Sequence, residues 1–281
     1  MEHHAILHTL EALEAQGFTV TLLRPQADGI VTATQVAEAI TDTTCLISVM
    51  YANNETGAIQ PIREIGALCR KRGVLFHTDA VQAAGHLTIN VQRDNIDMLS
   101  LSAHKFHGPK GIGLLFAKSN IQLTSLIRGG GQERGKRAGT ENLPSIIGLA
   151  TALKDAQEHM QQNTAYITGL RDALRNGLDK IDGAGFNGSR EHCLPGTVNY
   201  SFQGVNGETL LSLLSNEGIC CSSGSACSAG SLEPSHVLLA LGLSHETAKS
   251  ALRFSLCEYN TMDEVQTIIT KVTEAVNRLR R

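Results

Sequence analysis

Short apolar runs alternate with helical stretches through the first half of the chain, and this alternation is the strongest constraint on its fold. We predict strands over residues 18–23, 45–51, 74–77, 97–102 and 112–117, and helices over residues 5–16, 33–40 and 61–72. Parallel strands are covered by helices on both faces, so they are apolar along most of their length. The alternation therefore predicts βαβ units and a mostly parallel sheet.

The pattern changes in the second half of the chain. We predict a long helix over 143–180, a strand over 197–202, a helix over 207–217, a loop of small residues over 221–231, a strand over 250–256 and a closing helix over 262–279. The expected organisation is a large α/β domain over residues 1–145. A bridging helix and a small C-terminal α/β domain follow over 146–281.

Composition excludes several classes of protein. The 281 residues are 42% hydrophobic with a formal net charge of −3, so no basic excess supports nucleic-acid binding. No apolar run approaches the roughly 18 residues of a membrane-spanning helix, and the first residues lack the pattern of a signal peptide. The seven cysteines are scattered without a C-x-x-C pair, which argues against a disulfide framework and a zinc site and favours a reducing, cytosolic setting. Cys45, Cys69 and Cys257 lie in apolar runs and are expected in the core.

Two polar groups follow neighbouring predicted strands. Asp79 ends one strand, where open α/β sheets bind ligands, although Asp at such a place is often a helix cap. Ser102, His104 and Lys105 follow the next strand, and the alternative for this lysine is a solvated surface position. Asp79 and Lys105 are one βαβ unit apart, which predicts that both lie at the same end of adjacent elements. Pyridoxal phosphate requires such a pair, a lysine for covalent attachment and an acid for the pyridinium nitrogen.

Cys227 lies in a segment made almost entirely of Gly, Ala and Ser. Small neighbours offer little packing to bury a thiol or to hold it still. The segment favours an exposed, reactive cysteine over a structural one, and a tolerated loop cysteine is the alternative.

Together these segments resemble the cysteine desulfurases of the NifS/IscS type, which are fold-type-I pyridoxal-phosphate enzymes. The resemblance covers essentially the whole chain and is carried by EHHAILHTLE, YANNETG, HTDAVQ, SLSAHKFHGPKGIG, GGGQERGKRAGTEN, SSGSACSAGSLEPSHVL and ALRFSL, in the family's order. The cysteine segment is similar to that of the group with a long mobile loop. The implied activity removes sulfur from L-cysteine, leaving L-alanine and a persulfide on the enzyme.

The resemblance also implies roles for individual residues. Lys105 would bond covalently to the cofactor and later move protons. Asp79 would pair with the pyridinium nitrogen, Gln82 would bond the phenolic oxygen, and His3 would stack on the ring. Cys227 would be the nucleophile that takes the sulfur, so Cys227, Lys105 and His3 form the expected catalytic set.

A second group of residues would bind the phosphate and the substrate. Ser102 and His104 would bind the cofactor phosphate, and Thr140 would reach the phosphate of a neighbouring subunit, which implies a homodimer. Asn54 and Arg253 would hold the substrate carboxylate, with Asn54 also beside the cofactor. The expected partners are L-cysteine and a sulfur-acceptor protein of the iron–sulfur scaffold type, in the cytoplasm, with no nucleic acid, membrane or metal.

The chain differs from members of this family at its N-terminal end. Family members begin roughly a hundred residues earlier, with the first strand and helices of the large domain and a Gly/Thr turn under the cofactor phosphate. We therefore expect exposed apolar surface on the sheet and a weakly active or inactive chain. The alternatives are another fold-type-I enzyme, such as an aminotransferase or a selenocysteine lyase, and a non-catalytic fragment.

Overall fold

The computed structural model describes residues 1–223 and 233–281. Cys227 and most of the small-residue segment predicted around it lie outside the described residues. The helices are α1 (His4–Glu14), α2 (Ala33–Ala39), α3 (Ile62–Arg72), α4 (Leu143–Leu178), α5 (Gly207–Asn216), α6 (His236–Ala240), α7 (His245–Lys249) and α8 (Met262–Leu279). The strands are β1 (Leu46–Ser48), β2 (Leu75–Asp79), β3 (Met98–Ser102), β4 (Gly113–Ala117), β5 (Ala184–Phe186), β6 (Thr197–Phe202), β7 (Ser222–Ser223) and β8 (Ala251–Ser255).

The chain divides into two compact units. One unit, here the parallel-sheet unit, comprises residues 41–51 and 62–160. The other, the antiparallel-sheet unit, comprises residues 1–40, 52–61 and 161–281. The domain boundary near residue 145 stays a prediction.

The parallel-sheet unit is built on the strand order β1-β2-β3-β4. β1 and β2 pair in parallel, as do β2 and β3, and β4 pairs antiparallel to β3. The segment that joins β3 to β4 is too short for a helical crossover, so the chain returns antiparallel. The prediction of a mostly parallel sheet is confirmed.

Large apolar side chains remain exposed on this sheet. Leu46 and Leu75 are 45% and 39% exposed, and Leu114 and Leu115 on β4 are 44% and 52% exposed. Cys45 is also exposed, so its expected core position is wrong, because β1 is the edge strand of the sheet and Cys45 immediately precedes it. The apolar surface expected on this sheet is therefore present.

The antiparallel-sheet unit has the strand order β5-β6-β8-β7. Its core lies between this sheet and the helices α4, α5 and α8. The fully buried side chains there include Leu174 and Leu178 of α4, Leu210 of α5, Tyr200 of β6 and Val272 of α8. Helix α8 begins with a capping box in which Thr261 and Glu264 satisfy each other's backbone N–H groups.

The strand predicted over residues 18–23 is wrong. Those residues form no regular structure, and Phe18 and Leu22 are 55% and 68% exposed. A strand is stabilised by a neighbour that accepts its ladder hydrogen bonds, and both sheets of the described residues are made of other segments.

Candidate active site

Asp79 lies at the carboxyl end of β2, where its side chain is buried at 9% exposure. One carboxylate oxygen accepts a hydrogen bond from the backbone N–H of Val81 at 2.9 Å. The residue thus caps a turn, whereas the alternative supposed a helix cap. A cap made by one oxygen leaves the other lone pairs of the carboxylate free for a second role.

A 3₁₀ turn over Ala103–Phe106 follows β3 and carries His104 and Lys105 on its exposed side. The hydroxyl of Ser102 and Nδ1 of His104 lie 2.9 Å apart. Burial lowers the pKa of His104, and the charges of Lys105 and Lys110 lower it further. A nearby anion would offset these charges, which makes the turn suited to a phosphate.

Glycine allows this turn to close on itself. A Cβ atom at Gly108 would stand 2.8 Å from Cβ of Ala103, at the start of the same turn. A side chain at this position would therefore clash with Ala103 unless the turn opened. The register then brings Ser102 opposite Gly113 on β4.

Asp79 and Lys105 lie at the same edge of the sheet, as predicted. β2 and β3 are parallel neighbours, Asp79 is the last residue of one, and Ser102 is the last residue of the other. The carboxyl ends of parallel strands share one edge, which is where open sheets bind ligands. The structure therefore brings Asp79, Ser102, His104 and Lys105 to one edge.

His77 connects the three parallel strands beneath this edge. Its Nδ1 lies 2.8 Å from the hydroxyl of Ser48 on β1, and its Nε2 lies 2.9 Å from the hydroxyl of Ser100 on β3. Burial lowers the pKa of His77, while the charge of Asp79 opposes that shift. Both ring nitrogens have a hydroxyl partner, so a neutral imidazole is fully satisfied here.

In the antiparallel-sheet unit, Asn53 organises the turn that contains Asn54. The side-chain oxygen of Asn53 accepts hydrogen bonds from the backbone N–H groups of Glu55 and Thr56, each at 2.9 Å. The turn ends at Gly57, whose φ of 77° lies in the left-handed region that glycine adopts without strain. The side chain of Asn54 is half-buried in this turn.

Arg253 on β8 is directed toward the same turn. Its Nη1 donates to the backbone oxygen of Asn54 at 3.0 Å, and its Nη2 donates to the hydroxyl of Ser222 at 3.2 Å. Its Nε is buried and has no hydrogen-bond partner among residues 1–223 and 233–281. A half-buried guanidinium with an unused, buried N–H is suited to a carboxylate ligand. The structure therefore brings Asn54 and Arg253 together, as the resemblance implies.

His3 is the N-cap of α1, and its Nδ1 accepts a hydrogen bond from the backbone N–H of Ala5 at 3.1 Å. The ring of His4 lies 4.7 Å from that of His236 and 5.0 Å from that of His8. Despite this clustering of imidazoles, no group of three or more possible metal ligands occurs within residues 1–223 and 233–281.

The remaining predicted site residues are less constrained. Gln82 is half-buried in the turn after Asp79, and Thr140 is exposed in the segment before α4. The roles of all the predicted site residues, including Gln82, Thr140 and Cys227, stay predictions.

Two residues near these groups received no role from the sequence. His77 and Glu55 are both buried, at 8% and 6% exposure. His77 lies in HTDAVQ, where its position two residues before Asp79 on one strand places both on the same face. Glu55 follows Asn54 in a turn, and nothing in the local sequence indicates that its carboxyl group is buried.

Comparisons with known proteins identify the family of this chain. The aminotransferase class-V family model matches residues 1–268. Cysteine desulfurase IscS of Clostridium botulinum (strain Hall) is 49% identical over 283 residues, covering 100% of this chain and 71% of that protein. Cysteine desulfurase IscS of Methanosarcina thermophila is 48% identical over 280 residues, covering 100% of this chain and 69% of that protein.

Solved structures of related proteins have the same fold as this chain. A NifS-like protein superimposes with a TM-score of 0.91 at 37% identity, covering 99% of this chain and 73% of its own. SspA in complex with cysteine superimposes with a TM-score of 0.77 at 41% identity, covering 92% of this chain and 72% of its own. The fold is therefore that of the fold-type-I pyridoxal-phosphate enzymes, as predicted. The chain belongs to the class-V aminotransferase family and, within it, to the pyridoxal-phosphate-dependent cysteine desulfurases.

Proposed function

We propose that this chain itself removes sulfur from L-cysteine, with the weak activity expected above, and holds it as a persulfide on Cys227. The observation that carries the proposal is the arrangement of Asp79, Ser102, His104 and Lys105 at one sheet edge. The buried acid, the lysine and the hydroxyl–imidazole pair match the pyridinium nitrogen, the aldehyde and the phosphate of pyridoxal phosphate. The residues present therefore fit the cofactor.

Each residue has a proposed task at this site. When bound, pyridoxal phosphate withdraws electrons from the carbon skeleton of an amino acid. Lys105 holds the cofactor covalently and moves protons, Asp79 keeps the ring nitrogen protonated, and Gln82 bonds the phenolic oxygen. His3 stacks on the ring.

The phosphate and the substrate use the other predicted residues. Ser102 and His104 donate to the phosphate, and Thr140 reaches the phosphate of a second subunit in a homodimer. Asn54 and Arg253 bind the carboxylate of L-cysteine. A bound cysteine in the solved structure of SspA supports this substrate.

The proposed sulfur transfer needs no oxidant, because the carbon skeleton of the substrate accepts the electron pair. The Cys227 thiolate forms an S–S bond with the substrate sulfur, and the substrate's Cβ–S bond breaks. Its electron pair stays with the carbon skeleton, which takes up a proton and leaves as L-alanine. The persulfide then passes its outer sulfur to an acceptor, which we propose is a scaffold for iron–sulfur clusters in the cytoplasm. No helix within residues 1–223 and 233–281 is long and apolar enough to cross a bilayer.

The first experiment adds pyridoxal phosphate to the purified chain, reduces the complex with borohydride and maps the modified peptide by mass. The expected result is a visible absorption band and a label on Lys105. A label on another lysine would overturn the site. A folded chain without a band would show that it does not hold the cofactor.

The second experiment measures alanine formation from L-cysteine in the wild type and in Cys227→Ala, with Cys45→Ala as the control because Cys45 is an exposed cysteine without a proposed role. Cys227→Ala should abolish alanine formation, and Cys45→Ala should not change it. Amino-group transfer to a keto acid that survives Cys227→Ala would indicate an aminotransferase. Preference for selenocysteine would indicate a lyase.

A further inference from the structure

Glu55 is a buried carboxyl group that the proposed reaction does not use. Its side chain accepts a hydrogen bond from the hydroxyl of Ser235. That hydroxyl oxygen in turn accepts from the backbone N–H groups of Val237 and Leu238, at the start of α6. A hydroxyl has one proton to donate, and here it is committed to Glu55. Ser235 therefore holds the carboxyl group in one orientation.

The charged groups that face Glu55 come from two other segments. Arg253 on β8 and the α-amino group of Met1 both lower the pKa of Glu55, as does the hydrogen bond from Ser235. Glu2 and His236 lie beside that amino group. Burial outweighs all of these and raises the pKa of Glu55 from its usual 4.5 to about 7.

Arg253 connects Glu55 to the proposed carboxylate site. In the part of the chain that the structure describes, Arg253 donates to the backbone oxygen of Asn54 and the hydroxyl of Ser222, both neutral, and its Nε has no partner. Glu55 directly follows Asn54, whose backbone oxygen holds the guanidinium at 3.0 Å, and the charge of Arg253 lowers the pKa of Glu55. A ligand carboxylate held by Arg253 would be a second anion in the field of that charge, and two anions close together in a buried site repel.

We propose that Glu55 is a positioning residue that acts through Arg253, because its carboxylate competes with an incoming carboxylate for this guanidinium. When that ligand binds, Glu55 takes up a proton from solvent. The inference rests on the proposed function, because it takes Asn54 and Arg253 as the pair that binds the substrate carboxylate. The proton returns to solvent when the product leaves. By linkage, carboxylate affinity falls as Glu55 ionises, by about tenfold for each unit by which the ligand raises its pKa.

The test measures KM and kcat for L-cysteine from about pH 6 to about pH 8 in the chain loaded with pyridoxal phosphate. Glu55→Gln is the informative variant, because glutamine still accepts the hydrogen bond from Ser235 but carries no charge. The ratio of the wild-type KM to the variant KM cancels the titration of the substrate itself. We expect this ratio to rise about three- to tenfold across the range, with kcat changing much less. Glu38→Gln, at an exposed position on α2, should follow the wild type.

Infrared difference spectroscopy gives a readout that does not need turnover. Adding L-alanine, a carboxylate ligand without the sulfur, should produce a protonated-carboxyl band in the wild type that is absent in Glu55→Gln. A flat KM ratio or the same band in both proteins would overturn the inference while leaving the proposed function intact. A wild type that shows the band but makes no alanine would contradict the proposed function and support the inference. A chain that binds no L-alanine would contradict both.

Discussion

Each unit buries a titratable side chain beside its predicted chemical groups, and the two units satisfy that side chain differently. In the parallel-sheet unit, both nitrogens of His77 meet hydroxyl groups on neighbouring strands. In the antiparallel-sheet unit, Glu55 meets one hydroxyl and shares the field of Arg253 and the Met1 amino group. Burial favours the neutral form of both. Because one is a base and the other an acid, the two should respond to pH in opposite directions.

The largest expected effect is the loss of cofactor attachment and alanine formation when Lys105 of the parallel-sheet unit is replaced. Lys105→Ala should abolish covalent cofactor attachment and lower alanine formation by at least about a thousandfold, because it removes both the attachment point and the group that moves protons. Lys110→Ala is the matched control, since Lys110 is exposed in the same loop. Borohydride reduction and peptide mapping check both variants. Equal labelling of wild type and Lys105→Ala would contradict the prediction.

The next effect concerns Glu55 and stability. Its pKa is raised on folding, so the folded chain retains a proton that the unfolded chain loses between pH 4.5 and about 7. Stability from this group is complete below pH 4.5 and falls as pH rises through that window, by at most about 3 kcal/mol. Urea unfolding should show this loss in the wild type and in Glu38→Gln, but not in Glu55→Gln. Parallel pH profiles for wild type and Glu55→Gln would contradict it.

The stability that His77 contributes should change with pH in the opposite direction. Its pKa is lowered on folding, so its stability is present above pH 6.5 and is lost as pH falls through its folded pKa. His77→Phe should cost about 2 kcal/mol at neutral pH, because Ser48 and Ser100 lose their partner. The variant should then lose less stability on acidification than the wild type does. His245→Phe, at an exposed position, is the control in the same urea experiment. An unchanged acid response in His77→Phe would be evidence against this role.

Partly exposed ion pairs should contribute least to stability, and by similar amounts in the two units. Lys118 and Asp97 pair at 2.6 Å in one unit, and Arg190 and Asp179 pair at 2.8 Å in the other. We expect Lys118→Met and Arg190→Met to cost about 1 kcal/mol or less, because water screens partly exposed charges. Urea unfolding with added salt checks this. A loss above about 2 kcal/mol in one unit alone would show that its pair is more than a surface contact.

Local features of the fold could be predicted from the sequence better than features that depend on distant segments. Helices with strong periodicity and caps, such as α8, were predictable because their signals lie within one segment. The strand at 18–23 was not, because a strand depends on a partner that its own residues do not specify. Cys45 was misplaced for the same reason, since an apolar run does not reveal that it forms a sheet edge.

The candidate site shows the same limit. The edge position of Asp79 and Lys105 followed from their spacing and the parallel arrangement of strands. The pairing of Asn54 with Arg253 came from resemblance alone, because 199 residues separate them in the chain. His77 and Glu55 were missed, since a polar residue in a strand or turn gives no local sign of its burial.

The sequence by itself determined the fold class, the family and the order of the chemical groups, because periodicity, strand ends and motif spacing are written in consecutive residues. Only the tertiary structure decided which side chains lose water and which distant groups they meet. Desolvation depends on packing between remote segments, and it is desolvation that favours neutral Glu55 and His77. The acid–base properties of this protein are therefore a consequence of its packing more than of its composition.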